Sequence, residues 1–202
     1  IYPIADNDTP MLSSDRLEYT FSNGLGATEK IWGLSDIEEI YNNIEIQENE
    51  NGIEELGFKD LKIAEKFVHT MSILSRSYRK EKTVFSMQLL ADIIKKMYNK
   101  NMISINDLYK LSEKEIIAKI ECCGDENITN IFNVWKNAIK VNTSEILPTN
   151  TYFVNIEKTK IRYINPLVRN NGKYERIYNI SESAKNDIDK TLNFKTAKYI
   201  YL

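Results

Sequence analysis

With 202 residues, 42% hydrophobic and 28% charged, the chain has the composition of one or two globular domains and not of a disordered segment. Its apolar runs are only a few residues long, against the ~20 that a membrane helix needs, so no membrane partner is expected. A formal net charge of −2 is too balanced to point to nucleic acid.

The first residues, Ile1–Thr9, read as irregular, with Pro3 and Pro10 as punctuation. They contain no cationic stretch followed by an apolar core, so they are not a signal peptide. The start at Ile1 reads as the remaining part of a longer polypeptide. A helix is expected from Ser13 or Ser14 to about Ser22, stopped by Gly24 and Gly26. A second starts at Ser35, where Ser35-x-x-Glu38 has the form of a capping box. Ile44 and Ile46 then alternate with Glu45 and Gln47 before Asn51-Gly52, which predicts a short hairpin near 44–58. Ala64, Phe67, Met71, Leu74 and Tyr78 form one stripe of a helix over Asp60–Tyr78. Another helix covers Lys82–Tyr98. Ser104-x-x-Asp107 and Ser112-x-x-Glu115 cap two short helices, and a further one runs over Glu126–Ile139.

After Pro148 the composition changes. Tyr152–Ile156 and Ile161–Val168 are rich in β-branched and aromatic residues, and Asn171-Gly172 reads as a hairpin turn into Tyr174–Ile180. One more helix, capped by Ser181 or Ser183, and a last strand at Tyr199–Leu202 complete the chain. The expected fold is mainly α: a helical region over 1–149, with its hairpin, followed by a small α+β tail over 150–202. The tail, from Thr151 onward, has ten Lys+Arg against five Asp+Glu, and the rest of the chain is correspondingly acidic. A basic tail can meet a phosphate-bearing ligand or an acidic neighbour, but a solvated lysine-rich surface is the commoner outcome. Its tyrosines, Tyr152, Tyr163, Tyr174, Tyr178, Tyr199 and Tyr201, either stack on bases or simply pack half-buried strands.

Cys122 and Cys123 are sequence neighbours, with Cα atoms ~3.8 Å apart across a trans peptide, which strains a bridge. They read as reduced thiols of a cytoplasmic protein, and no His or Cys stands at zinc spacing from them. No glycine-rich loop fits a P-loop or dinucleotide fingerprint. The basic knot Arg76, Arg79, Lys80 and Lys82 reads as a solvated turn.

The segment that points to chemistry is Ser13–Asn23. On a helix at 100° per residue, Asp15, Tyr19, Ser22 and Asn23 gather on one side and Leu17, Phe21 and Leu25 on the other. Such a polar side is either an ordinary solvated face or one wall of a polar pocket. The second possibility places Asp15 and Tyr19 in a polar cleft.

Asp15-Arg16-Leu17-Glu18-Tyr19 resembles the last motif of the HD-domain phosphohydrolase superfamily. Two later stretches are similar to segments of bacterial members. They are Asn106-Asp107-Leu108 with Leu111-Ser112-Glu113-Lys114-Glu115, and Lys160–Val168, which has Asn165 where the family's strand has aspartate. The resemblance implies an HD-type helical bundle and hydrolysis of a phosphate ester, such as a nucleotide, at a site holding a divalent Mg, Mn or Fe ion. It implies Asp15 as a metal ligand, and Arg16, Tyr19 and Asn23 as substrate-binding residues. Ser22-Asn23 stands where the nucleoside-triphosphate branch has Arg-Asp. The family's metal-binding histidines precede the aspartate, whereas the one histidine here, His69, follows it and reads as solvated or surface-bonded. The chain therefore supplies no catalytic residue of its own and is expected to be inactive alone, either because the histidines belong to a preceding part of a longer polypeptide or because it is a catalytically dead relative. A small phosphorylated substrate is the expected partner, and a homo-oligomer is compatible with this reading. The rival reading is a non-catalytic interaction module whose basic, tyrosine-rich tail binds a protein or nucleic acid.

Overall fold

The computed structural model describes residues 2–26 and 31–202, of which just over half are helical, so the fold is mainly α. In chain order the elements are α1 (Ser14–Gly26), α2 (Leu34–Asn43), β1 (Ile44–Glu48), β2 (Glu54–Phe58), α3 (Leu61–Ser77) and α4 (Glu81–Asn99). There follow α5 (Ile105–Lys110), α6 (Glu113–Glu121), α7 (Glu126–Asn137), β3 (Asn142–Ser144), β4 (Phe153–Asn155) and β5 (Leu167–Asn170). The chain ends with β6 (Lys173–Arg176), α8 (Ile177–Ile180), α9 (Glu182–Asn193) and β7 (Tyr199–Tyr201).

The division of the chain differs from a break near residue 150. One compact unit comprises Ile1–Tyr78 and Lys160–Lys195, and the other Arg79–Thr159 and Thr196–Leu202. The cause is strand pairing. β5 returns to lie parallel to β2, with Gly57 opposite Leu167 and Phe58 opposite Val168, and so carries β6, α8 and α9 into the first unit. β7 instead pairs antiparallel with β3 and β4 in the second unit.

In the first unit the order β1-β2-β5-β6 forms a four-stranded sheet. Its core is built around Leu12, Leu17, Ile40, Phe58, Val168, Ile177 and Ile188. Trp32 stacks on Phe67 with centroids 5.7 Å apart, and Phe21 meets both rings edge-on. This packing explains why α1 continues through the glycines expected to stop it. Gly24 is buried, and a Cβ there would lie 2.6 Å from Trp32 Cε3, so the glycine serves close approach of the indole. The start of α2 is also shifted from the expected box at Ser35. Gly33 precedes the helix and its N–H donates to Asp36 Oδ2 at 2.7 Å. The 44–58 hairpin forms, with Asn49 Oδ1 accepting from the amides of Asn51 and Ile53 in its turn. Within 161–168 only Leu167 and Val168 are strand, and 177–180 closes into α8 instead of prolonging β6.

The second unit packs α4, α6 and α7 over Phe85, Leu89, Ile93, Met97, Ile120, Ile128 and Phe132, with Val154 and Ile200 of its three-stranded sheet. Both expected boxes cap their helices, at Ser104/Asp107 and Ser112/Glu115. The backbone amide of Ser104 holds the Asp107 carboxyl below the ordinary carboxylate range, and the Ser112 hydroxyl does the same for Glu115. Lys100 does so for Asp125, the N-cap of α7. A lowered folded-state pKa gives stability that is present at neutral pH and lost as pH falls below the ordinary range. The thermal midpoint is therefore expected to drop between about pH 5 and pH 2. In Asp125→Asn that pH dependence should be shallower, as read by circular dichroism melts across the range. An unchanged profile would show that the cap carries no coupled charge.

Candidate functional site

The start of α1 is fixed by short-range polar contacts. The Arg16 amide donates to Ser13 Oγ at 3.4 Å, as at a serine N-cap, and the Ser14 and Asp15 amides donate to the carbonyls of Ile4 and Ala5. The Asn7 side-chain amide donates to the Pro3 and Leu12 carbonyls at 2.9 and 3.0 Å. The Arg16 guanidinium completes this hub. It donates to the Asn7 carbonyl and Oδ1, to the Met11 carbonyl at 3.1 Å and to Ser13 Oγ at 3.1 Å. Below the helix, Leu17 and Thr20 are buried, and Thr20 Oγ1 donates to the Arg16 carbonyl.

This frame sorts the four residues singled out from sequence. Asp15 and Tyr19, one turn apart, share an exposed face, with Tyr19 60% exposed. Among the described residues the Asp15 carboxylate has no hydrogen-bond or ion-pair partner. Arg16 is not brought to them, because its donors are engaged with residues 7–13. Asn23 is half-buried and turns its amide back onto the helix, donating to the Tyr19 carbonyl at 2.8 Å, which leaves Oδ1 as its outward acceptor. The polar cleft expected around Asp15 is not found: neither Asp15 nor Tyr19 lines the cleft at Glu48–Glu50 and Arg176 or the one at Asn133–Lys140. No three His, Cys, Asp or Glu side chains are grouped to hold a metal among the described residues. One carboxylate is a hard oxygen donor but does not by itself fix a divalent ion, so these residues alone do not fit one.

His69 has its side chain 58% exposed, and its Nδ1 lies 2.7 Å from Oδ2 of the buried Asp187. Ser72 Oγ donates to the Asp187 carbonyl, tying α3 to α9 through the same residue. Cys122 and Cys123 are free thiols.

Sequence reading missed a largely buried cluster of charges. Arg176, on β6, donates through Nη1 to Oε1 of Glu55 at 2.7 Å and through Nη2 to both Glu55 Oε2 and the Glu50 carboxylate. Glu55 is fully buried and also accepts from Asn49 at 2.9 Å. The backbone amide of Glu50, and then Arg176, hold the Glu50 carboxyl below its ordinary range. Asn49, Glu50 and Arg176 border a cleft of about 730 Å³ with Glu48, Leu167, Lys173, Tyr174, Glu175 and Asn179, while Glu55 lies buried behind it. All five guanidinium N–H groups face protein acceptors, so the cluster reads as a staple between the hairpin turn and β6. A second cleft, of about 500 Å³, is lined by Asn133, Val134, Asn137, Ala138, Lys140 and Leu202. No helix among the described residues is long and apolar enough to cross a membrane. No protein-family model, no curated protein and no solved structure matches the chain.

Proposed function

We propose that the chain belongs to a metal-dependent phosphohydrolase of the HD type acting on a phosphate ester, with a nucleotide as the candidate substrate. Asp15 is the one ligand contributed by these residues to a divalent Mg, Mn or Fe ion, and the histidines that complete the set lie outside them. Tyr19 would face the organic part of the substrate and Asn23 Oδ1 would accept from a hydroxyl. Arg16 enters as a positioning residue, because its guanidinium holds the turn from which Asp15 projects.

One observation supports this reading above the others. Two of the three stretches that resemble the family, Asp15–Tyr19 and Lys160–Val168, adjoin in one unit, while the third, over 106–115, belongs to the other. The Asn165 amide donates to the Pro10 carbonyl at 2.8 Å, just ahead of α1, and Asn165 Oδ1 accepts from the Tyr178 amide. An unpaired carboxylate thus projects from a helix start braced on both sides.

The test is phosphate release. The 202 residues alone are expected to release none from nucleoside mono- or triphosphates, or from an aryl phosphate, with Mn²⁺, Mg²⁺ or Fe²⁺. Chelator-sensitive release by this chain would refute the ligand count. A polypeptide carrying the same residues together with a histidine and a His-Asp pair is expected to release phosphate. Its inactivity across that panel would contradict the proposal.

A further inference from the structure

We propose that the outer face of the β3-β7-β4 sheet binds single-stranded nucleic acid. Strand alternation sets the chemistry of this face. Val154 and Ile200 point inward to the core of the second unit, 2% and 0% exposed. Their neighbours therefore point outward. Cross-strand register sets Phe153 opposite Tyr201 and Asn155 opposite Tyr199, with Asn142 and Ser144 of β3 on the far side of the same tyrosines. The face holds three aromatic rings, two amides and a hydroxyl, and no strand residue on it is charged. Phe153 and Tyr199 meet edge-on with centroids 5.9 Å apart, and Lys198 Nζ lies 5.1 Å above the Tyr199 ring. Phe153, Tyr199 and Tyr201 are half-buried and leave part of each ring to solvent, where rings offer stacking to any base and amides can read base edges.

The charge around this face complements a phosphate backbone. Although the whole chain is −2, the second unit holds thirteen Lys+Arg against ten Asp+Glu, a net +3. Three of its segments are joined beside the sheet. Arg79 Nε donates to Thr159 Oγ1 at 3.1 Å, Thr196 Oγ1 donates to the Arg79 carbonyl at 2.9 Å, and the Ile156 amide donates to the Lys198 carbonyl at 2.7 Å. This joining gathers the exposed Lys80, Lys158 and Lys198 against Glu81 and Glu157, while Arg79 itself is buried. Lys158 and Lys198 are exposed beside the rings. On the β3 side Lys140 and Glu145 offset each other. An acidic protein segment would use the lysines but leave the rings without a stacking partner, and so nucleic acid fits the face better.

The experiment is fluorescence anisotropy of the 202-residue chain with labelled oligothymidylate and oligouridylate of ~15 nucleotides, a length that covers one such site. Saturable binding is expected that weakens steeply between about 50 and 200 mM salt. Phe153→Ala and Tyr199→Ala should each weaken it by about fivefold or more, up to ~150-fold. Lys158→Glu with Lys198→Glu should weaken it and flatten the salt dependence. Where an alanine variant melts early, Phe153→Leu or Tyr199→Leu keeps apolar volume and removes the ring, and the same loss is expected. Inorganic polyphosphate and polyglutamate should bind at least fivefold more weakly than the oligonucleotides. Absence of binding at low salt would overturn the inference. So would binding indifferent to loss of the rings, or polyphosphate or polyglutamate binding as tightly.

Discussion

Arg176→Met is expected to destabilise the first unit by about 3–5 kcal/mol. Glu55 is fully buried, Arg176 has its side chain only 13% exposed, and the two are joined by paired hydrogen bonds at 2.7 and 3.0 Å. Removing the guanidinium leaves a carboxylate in the interior with only Asn49 to solvate it, and the desolvation of that charge is then uncompensated. Glu50, with its side chain 59% exposed, is a different case. Its pairing with the same arginine is screened by water, so Glu50→Gln should cost less than about 1 kcal/mol. Replacing both buried partners, as in Glu55→Leu with Arg176→Met, should recover most of the loss, since apolar side chains of similar volume often serve as well as a buried pair. Denaturant unfolding of the three variants checks the set. A loss below about 1 kcal/mol for Arg176→Met would mean that water reaches Glu55 once the guanidinium is gone.

Much of the helical structure was legible because its signals are local. The Ala64, Phe67, Met71 and Leu74 stripe gave α3, and the serine boxes gave the starts of α5 and α6. Asn171 and Gly172 do adopt the positive φ values, 49° and 78°, that an Asn-Gly hairpin turn requires. What depended on distant partners was not legible. The parallel pairing of β2 with β5 has no local signature, yet it assigns Lys160–Lys195 of the expected tail to the first unit. Gly24 read as a helix stop because the Trp32 ring that needs its missing Cβ belongs to another segment. β3 escaped notice because Asn142-Thr143-Ser144 lacks the apolar alternation of a strand and is held by its pairing with β7. At the site, the shared face of Asp15 and Tyr19 follows from one helical turn. The inward engagement of Arg16 does not, because its acceptors lie in the irregular segment before the helix.

Asp15→Asn is expected to lower bound metal and turnover together, by about 10–100-fold or more, in the protein that supplies the remaining ligands. An amide is a poorer donor to a hard cation than a carboxylate and brings no charge to offset it. The substitution is also structurally mild. Asp15 is exposed and its contact with the preceding segment, at the Ala5 carbonyl, is made through the backbone amide, which asparagine keeps. Asn23→Ala separates metal from substrate. Asn23 lies two turns along α1, too far to share an ion with Asp15, and its outward Oδ1 offers one neutral hydrogen bond. Its loss should change kcat/KM by no more than roughly tenfold, and unequally among nucleotides, with metal content unchanged.

Bound metal measured alongside kcat/KM for Asp15→Asn against the wild type therefore bears most directly on the assignment of Asp15 as a metal ligand. The expected result is joint loss of metal and turnover, with the fold retained in circular dichroism. Near-normal metal content and turnover in that variant would contradict the assignment and leave the resemblance of this motif without a function.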